Sequence, residues 1–243
     1  MIKLSSSEIK HIRSLSQKKF RDQTGQFVVE GQKMYSEAVE NGFEVVSVYR
    51  KDEIGEEQMS RISALDSPSP ILAVLRMPIQ ARELNINERG LYLALDSVRD
   101  PGNLGTIMRI CDWFGVDGIF ASPDTVDQFN PKVVQGSMGA IFRKHVHYCD
   151  LAALCKQFTA KGLPVHGTFL DGEDIYTTLK SPVGLVVMGN ESRGVSPEIA
   201  SLCTSRLLIP SFAAGTHAES LNVAVATAVT VSEFKRKSLY NEK

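Results

Sequence analysis

Six short apolar runs, separated by segments that suit helices, constrain the fold of this chain of 243 residues more than any other feature. The runs are Leu91–Leu95, Gly118–Ala121, His145–Tyr148, Leu163–Phe169, Val183–Met188 and Arg206–Ile209. Because each run is short and mostly apolar, it is typical of a strand that is buried on both faces of a parallel sheet. Strands that alternate with helices in this way predict an α/β fold with a doubly wound, Rossmann-like sheet.

Capping residues and prolines place helices between these runs. An Asn-Pro pair predicts a helix over Pro131–Phe142, and a Ser-Pro pair predicts a short helix over Pro197–Leu202. Another helix is expected over Thr106–Phe114. Ser220 is interpreted as the cap of a last helix, Leu221–Lys237, whose small alanines suit contact with a second subunit.

A change of pattern near residue 90 divides the chain into two domains. Residues 1–77 are predicted to form a small α/β domain, residues 78–90 a polar linker, and residues 91–243 the larger domain with the parallel sheet. The elements predicted for the small domain are the strands Phe27–Glu30, Glu44–Tyr49 and Ile71–Leu75 and the helix Gln32–Glu40.

Composition disfavours several classes of protein. No apolar run approaches the roughly 18 residues that a membrane-spanning helix needs, and the first residues lack the apolar centre of a secretion signal. A cytoplasmic protein is therefore expected. The cysteines are scattered without a C-x-x-C pair, which predicts neither a zinc site nor a disulfide framework, and no metal is expected.

A net charge of −1 gives the chain no overall attraction for nucleic acid, so a nucleic-acid partner needs a local basic patch. One patch lies between Lys10 and Arg21, with no acidic residue inside it. Its candidate nucleic-acid contacts are Arg13, Lys18, Lys19 and Arg21. The alternative is a solvated, partly helical surface without a partner.

Polar loops follow two of the predicted strands. Gly189–Gly194 follows Val183–Met188, and Asp96–Gly105 follows Leu91–Leu95. Because the carboxyl ends of parallel strands meet at one edge of a sheet, these loops predict a site there and therefore an enzyme. Arg109 falls off the apolar stripe of its helix, near the mouth of the loop. The loop glycines have the spacing G-x-x-G, which disfavours an NAD site.

Three segments carry a more specific pattern. They are Asp96–Arg109, Val187–Gly194, and Ile209-Pro210 followed by Ser220–Val225. In this order they closely resemble the three motifs of the SpoU (TrmH-like) RNA ribose 2'-O-methyltransferases. The segment Phe27–Lys33 with Glu37-Ala38 is similar to the substrate-binding domain often attached to that family, so the resemblance covers nearly the whole chain.

The resemblance implies a catalytic domain of the SPOUT class, in which the carboxyl-terminal segment is threaded into a trefoil knot beside the Rossmann-like sheet. Periodicity alone predicts an unknotted sheet. The resemblance also implies S-adenosylmethionine as cofactor, and a homodimer with the active site near its interface. The amino-terminal domain then binds the RNA substrate.

Three hypotheses about function follow. The favoured one is an S-adenosylmethionine-dependent 2'-O-methyltransferase of ribosomal RNA, with transfer RNA as the alternative substrate. The second is a different nucleotide-binding enzyme on a Rossmann-like sheet, which the missing G-x-G-x-x-G disfavours. The third is a non-catalytic RNA-binding or ribosome-assembly protein, which has no need of the full set of motif side chains.

The same resemblance assigns catalytic residues. Arg109 matches the arginine proposed to act on the ribose hydroxyl, and Asn103, Glu191, Ser220 and Asn222 match the motif positions around it. A guanidinium group, with a pKa above about 12, is a poor base. We therefore expect Arg109 to hold a phosphate or the attacking oxygen.

Gly189, Ile209, Leu221 and Thr168 are expected to bind the cofactor. A side chain at Gly189 would block the approach of the cofactor, and Ile209 and Leu221 supply apolar contact for a purine. Each assignment has a structural alternative: a turn at Gly189, plain core for Ile209 and Leu221, and only a helix cap at Ser220.

Three histidines are not assigned to the site. The loop of residues 211–219 is longer by a few residues than the usual family loop and contains His217, which is interpreted as solvated. His145 and His147 alternate along one strand but have no third metal ligand near them in the sequence, so both are expected to be structural.

Overall fold

The computed structural model describes residues 2–79, 85–179, 181–215 and 218–240. The strands of the amino-terminal unit, residues 2–79, are β1 (Gln26–Glu30), β2 (Val45–Arg50) and β3 (Ile71–Arg76). They form an antiparallel sheet with β3 in its centre. The helices of this unit are α1 (Ser6–Ser14), α2 (Lys18–Thr24), α3 (Gln32–Glu40), α4 (Lys51–Ile54) and α5 (Glu56–Ile62).

Strand β3 is buried on both faces because the small sheet lies between helices α1 and α5 of its own unit and the rest of the chain. Leu72 and Val74 belong to a cluster with apolar side chains of α1 and α5. Ala73 and Leu75, which point to the opposite face, belong to the large core of the molecule. The small sheet therefore has one face in each of two cores.

The strands of the carboxyl-terminal unit, residues 85–240, are β4 (Leu91–Leu95), β5 (Gly118–Ala121), β6 (Val146–Tyr148), β7 (Val165–Asp174), β8 (Gly184–Met188) and β9 (Ser205–Leu208). All their pairings are parallel, in the order β6-β5-β4-β8-β7-β9. This order confirms the predicted α/β class and its parallel sheet. Strand β7 alone runs well past its predicted end, because it resumes after a bulge.

Helices cover both faces of this sheet. They are α6 (Pro101–Trp113), α7 (Pro131–Ser137), α8 (Leu151–Ala160), α9 (Ile175–Thr178), α10 (Pro197–Leu202) and α11 (Val223–Tyr240), with a 3-10 turn at Ala140–Phe142. Leu93 of β4 points into the core that contains residues of α6, α7 and α11. Its neighbours Tyr92 and Ala94 point into the core with α8 and α10.

Helix α6 begins at Pro101, five residues before the predicted start at Thr106. The Asp100 carboxylate caps it by accepting a hydrogen bond from the backbone N–H of Asn103, at 2.8 Å. Proline suits the first helical position because no hydrogen-bond donor is needed there. The prediction was wrong because the glycines of this segment suggested a loop.

Two further helix boundaries differ from the prediction. Helix α7 ends at Ser137 because Met138 and Gly139 both adopt left-handed backbone conformations, and only the 3-10 turn continues to Phe142. Helix α11 begins at Val223, and its cap is Asn222 in place of Ser220. The Asn222 Oδ1 atom accepts a hydrogen bond from the backbone N–H of the second helical residue at 2.9 Å.

The two units are joined by aromatic and charged contacts. The rings of Phe27 and Phe129 lie 4.8 Å apart, centre to centre. The Arg143 guanidinium donates to Glu37 of α3 at 2.7 Å, and also binds a carboxylate of α6. A buried ion pair joins Arg21 of α2 to Asp127 at 2.5 Å. These contacts hold the amino-terminal unit in one orientation on the larger sheet.

The described ranges contain neither a membrane-spanning helix nor a metal-binding cluster. None of the helices there is long and apolar enough to cross a membrane. The same residues contain no cluster of three His, Cys, Asp or Glu side chains arranged to hold a metal ion. His145 and His147 each lie against a phenylalanine ring, and burial lowers the pKa of both. His217 lies outside the described residues.

Candidate active site

The loops that follow β4 and β8 meet at the carboxyl edge of the large sheet. The Asp96 carboxylate, at the end of β4, accepts a hydrogen bond from the backbone N–H of Ser196 at 2.7 Å. The Asn190 amide, after β8, donates to the carbonyl oxygen of Ser97 at 2.8 Å. These bonds fix the two loops to each other, so the side chains that they carry have defined positions.

Ser97 has a left-handed backbone conformation, with φ at 63°, that non-glycine residues seldom adopt. The Ser122 hydroxyl accepts a hydrogen bond from its backbone N–H at 2.9 Å. The Ser122 hydroxyl in turn donates to the Asp124 carboxylate. Hydrogen bonds from Ser122, Ser97 and Arg99 lower the pKa of the Asp124 carboxyl to about 2, so it stays ionised and able to accept them. Sequence analysis missed Ser97 because serine is not diagnostic of positive φ. Strain of this kind clusters at functional sites.

Side chains from all three motif segments join in one chain of hydrogen bonds. The Asn222 Nδ2 group donates to Asn103 Oδ1 at 2.9 Å, and Asn103 Nδ2 donates to Glu191 Oε1 at 2.9 Å. Because Asn222 Oδ1 already caps α11, its Nδ2 group must face Asn103, and this fixes the direction of the next bond. Asn222 and Glu191 are exposed and Asn103 is half-buried, so the chain of bonds faces solvent.

Gly189 is needed by the loop that it begins. The loop folds back so that the backbones of Asn190 and Gly194 pair with each other. A Cβ atom on Gly189 would collide with the backbone of Gly194 and Val195. The fold of the loop alone therefore requires glycine at position 189, as the alternative interpretation of a turn predicted. Any contact between Gly189 and the cofactor is an additional role.

The proposed cofactor residues lie on adjacent strands. Thr168 of β7 donates to the carbonyl oxygen of Val187 in β8 at 2.9 Å, which ties the ends of these strands together. Ile209 follows β9 and packs partly against the large core. Leu221, before α11, is 50% exposed, so it is not a plain core residue. Gly189 and Ile209 follow the carboxyl ends of β8 and β9, and Thr168 lies where the pairing of β7 with β8 ends.

Exposed apolar side chains mark the same edge. Leu170, in the bulge of β7, is 70% exposed, and Phe212, after β9, is 85% exposed. Each of them, like Leu221, exposes apolar surface that an apolar ring could cover. Sequence analysis missed Leu170 and Phe212, although both lie within three residues of a predicted site residue. Ser220 is exposed and makes no hydrogen bond within the described part of the chain.

Arg109 does not join the hydrogen-bonded group. It lies six residues beyond Asn103 on α6, which places it about 120° around the helix axis from Asn103. Its side chain is exposed and has no hydrogen bond or ion pair among the residues that the structure describes. Among the described residues the Arg109 guanidinium is therefore unpaired, and it leaves α6 on a different side from Asn103.

The basic patch keeps three of its four predicted residues at the surface. Arg13, Lys18 and Lys19 are exposed, although Lys18 pairs with Asp22 at 2.7 Å. Arg21 is a correction: only 2% of its surface is exposed, and its guanidinium binds Asp127 and two carbonyl oxygens of the preceding loop. A buried, fully paired guanidinium holds the two units together and offers no charge to RNA.

Two family models match the chain. The model of the SpoU rRNA Methylase family matches residues 90–232, and the model of the MRM3-like substrate binding domain matches residues 6–74. Among characterised proteins, the chain is 30% identical to the 23S rRNA (guanosine(2553)-2'-O)-methyltransferase RlmP of Bacillus subtilis. That alignment covers 93% of this chain and 95% of RlmP.

Solved structures are similar over nearly the whole chain. A TrmH-family protein from Porphyromonas gingivalis superposes with a TM-score of 0.85 at 37% identity, covering 96% of this chain and 99% of that one. An AdoMet-bound rRNA methyltransferase from Sinorhizobium meliloti gives a TM-score of 0.86 at 31% identity, covering 97% of each chain. The similarity therefore includes both units.

Proposed function

The chain belongs to the SpoU rRNA methylase family, and from this premise we propose that it transfers a methyl group from S-adenosylmethionine to the 2'-hydroxyl of a ribose in ribosomal RNA. The observation that carries the proposal is the chain of hydrogen bonds from Asn222 through Asn103 to Glu191. A protein that only binds RNA has no need for three side chains from distant segments to be aligned at a sheet edge. Full-length similarity to an rRNA 2'-O-methyltransferase supports the same reaction.

The main task of the protein in this reaction is to align the ribose hydroxyl with the methyl group of the cofactor. Bound S-adenosylmethionine supplies an electrophilic methyl group on a sulfonium. The Asn103 and Glu191 side chains, held rigidly by Asn222, orient the attacking ribose hydroxyl, and this alignment accounts for much of the acceleration. Arg109 holds the attacking oxygen or a neighbouring phosphate. A guanidinium group is a poor base, so another acceptor takes the hydroxyl proton.

We assign cofactor binding to the carboxyl ends of β7, β8 and β9. In this assignment the backbone groups of Thr168 and Gly189 border the cofactor-binding site, and Ile209 and Leu221 contact the adenine. The exposed Leu170 and Phe212 fit this assignment, because an apolar ring system would remove their surface from water. The carboxyl edge of a parallel sheet is also where open α/β folds bind nucleotides.

We propose a homodimer in which Arg109 completes the active site of the other subunit. Its position, turned away from Asn103 of its own chain, supports this arrangement. Trp113, one turn along the same side of α6, is 85% exposed, and Val225 of α11 is half exposed. Helix α11 packs against α6, so these apolar groups offer one surface for a second copy.

We propose residues 1–77 as the RNA substrate-binding domain, residues 78–90 as the linker and residues 91–243 as the catalytic domain, on the basis of the two family matches. The trefoil knot is supported by the path of the chain, which leaves the edge of the sheet at β9 and returns to place α11 on α6. A role in rRNA processing implies the compartment of ribosome assembly, which supports a cytoplasmic location.

The test is transfer of labelled methyl from S-adenosylmethionine to total RNA from cells that lack this protein, followed by digestion and identification of the nucleoside. We expect a 2'-O-methyl mark on one ribosomal RNA. Asn103→Ala should lower turnover roughly a hundredfold, as for a lost transition-state contact. Lys156→Ala, an exposed change on α8, should leave it unchanged.

Other results would replace the proposal. A mark on transfer RNA would name the alternative substrate. If neither naked RNA nor assembling ribosomal particles accept methyl groups, and calorimetry shows no binding of S-adenosylmethionine, the protein is a non-catalytic RNA-binding protein.

A further inference from the structure

A cleft of about 840 Å³ opens between the two units, outside the active site described above. Helix α1 and the loop after α5 form one wall, and helix α7 with the start of α6 forms the other. Pro101, the first residue of α6, lines the cleft and lies two residues before Asn103. The cleft therefore reaches the edge of the hydrogen-bonded group, and its volume suits a nucleotide-sized ligand.

Two cations line opposite walls of this cleft. Arg13 projects from α1 and Lys132 from α7, and both are exposed. Neither side chain has a hydrogen bond or ion pair within the described ranges, whereas the nearby Arg21 is fully used by Asp127 and backbone carbonyls. Two unpaired cations that line opposite walls of one cleft can each bind a phosphate.

The interior of the cleft is apolar with a carboxylate at its rim. Leu65 on the first wall and Pro101 and Pro131 on the second are half-buried, so each offers apolar surface to the cleft. Asp66 lies in the loop after α5, where it is exposed and has no ion pair with any described residue. Glu30 holds this loop in place, because its carboxylate accepts hydrogen bonds from the Ser63 hydroxyl and from the following backbone N–H.

On the basis of the proposed function, we infer that this cleft binds an unpaired nucleotide of the RNA next to the methylated ribose. Arg13 and Lys132 contact its two flanking phosphates, and its base packs on the apolar walls. The Asp66 carboxylate accepts hydrogen bonds from the edge of the base. Guanine fits best, because its N1–H and N2–H donors lie side by side and match the two oxygens of a carboxylate.

The cleft is preorganised for this role. Phe27 and Phe129, on opposite sides of the boundary between the units, are in ring contact, and the Arg21–Asp127 ion pair is buried. Because these contacts fix the width of the cleft, little ordering accompanies binding. The amino-terminal unit then sets a fixed distance between the recognised base and the reacting hydroxyl.

The first test separates binding from chemistry by kinetics. In Arg13→Ala/Lys132→Ala we expect KM for the RNA to rise roughly tenfold, with kcat and the affinity for S-adenosylmethionine unchanged, and the slope of log affinity against log salt to fall by about 2. The matched control, Lys156→Ala/Lys161→Ala, removes two positive charges from exposed sites in and just after α8, outside the cleft and outside the basic patch. Equal KM values for the two double variants would overturn the inference.

The second test needs no methyl transfer, so it distinguishes failure of the cleft from failure of the proposed function. Fluorescence anisotropy is measured with four labelled RNA heptamers. They carry A, C, G or U at one position, and all their other nucleotides are uridine. We expect the wild type to prefer the guanosine heptamer by about fivefold or more, and Asp66→Asn to abolish that preference. Asp52→Asn, an exposed change on α4, is the control. No guanosine preference in the wild type would refute the role of Asp66.

Discussion

The side-chain amide of Asn222 serves two structural elements at once. Its oxygen accepts hydrogen bonds from the first backbone N–H groups of α11, and its nitrogen donates to Asn103. The sequence motif identified Asn222 as a site residue but assigned the helix cap to Ser220. Serine, asparagine and aspartate all cap helices well, so only the geometry decides between neighbours.

Asn222→Asp separates the two roles. Aspartate keeps the cap, since its carboxylate accepts the same backbone N–H bonds, but it cannot donate to Asn103 Oδ1. We expect turnover to fall roughly tenfold or more, as for one lost hydrogen bond and an added repulsion, with little change in thermal stability. Methyl-transfer kinetics and a melting curve check this. Ser220→Ala is the comparison for stability alone: it should leave the melting temperature unchanged, whereas a cap at Ser220 would require the melting temperature to fall.

His166 predicts how stability depends on pH. Its ring is buried, lies 5.0 Å from that of Phe234, and bonds to Ser205 Oγ at 2.7 Å. Burial lowers its pKa from 6.5 to about 4, so the folded state keeps it neutral where the unfolded state is protonated. The unfolded state then binds more protons as the pH falls from 6.5 to about 4, and stability decreases over that window.

The loss expected from His166 is roughly 3 kcal/mol at the acid end of the window. His145 and His147, whose pKa values burial also lowers, add to the same slope. Urea unfolding at a series of pH values measures it. His166→Gln removes the titrating ring, so its unfolding free energy should depend less steeply on pH than that of the wild type. Parallel curves for the two proteins would show that another group is responsible.

At the scale of elements, most of the architecture could be predicted. Short, mostly apolar runs identified all six strands of the large sheet, and α10 has its predicted bounds, Pro197–Leu202. The predicted helix boundaries were wrong where an uncommon local feature starts or ends the helix. The Asp100 cap starts α6 within an apparent loop, and Met138 ends α7 by a left-handed conformation that methionine seldom adopts.

Helices α6 and α7 cross at two glycines that should respond differently to substitution. A Cβ atom on Gly105 would lie 2.9 Å from the backbone carbon of Gly136 and 3.0 Å from Val133 O, whereas one on Gly136 meets nothing closer than 3.7 Å. We expect Gly105→Ala to lower the free energy of unfolding by about 1–3 kcal/mol, because the helices must separate. Gly136→Ala should be neutral or stabilising. Urea unfolding compares them, and equal effects would contradict the close crossing.

At the scale of the whole molecule, contacts between distant segments were beyond sequence reasoning. Arg21 sits in a basic run that suggests a surface, yet it is buried against Asp127, 106 residues away in the chain. Nothing local marks it, because its neighbours Lys18 and Lys19 are exposed. The strand order was equally hidden: the runs identify strands, whereas their neighbours depend on how helices and loops return across the sheet.

The position of Arg109 leads to a prediction about the assembled protein. If Arg109 acts in the active site of the other subunit, Arg109→Ala and Asn103→Ala chains damage different halves of each site. Each variant alone should have almost no activity. In a mixed dimer, one site receives an intact Asn103 from one chain and an intact Arg109 from the other, while the second site lacks both.

Mixing the two inactive variants should therefore restore activity. With random exchange about half of the dimers are mixed, and each has one working site, so roughly a quarter of the wild-type rate is expected. Differently tagged chains, co-expressed and purified on both tags, would raise this to about half of the wild-type rate per dimer. A mixed dimer that stays inactive would place Arg109 in the site of its own chain, and a monomer in sedimentation would exclude the shared site altogether.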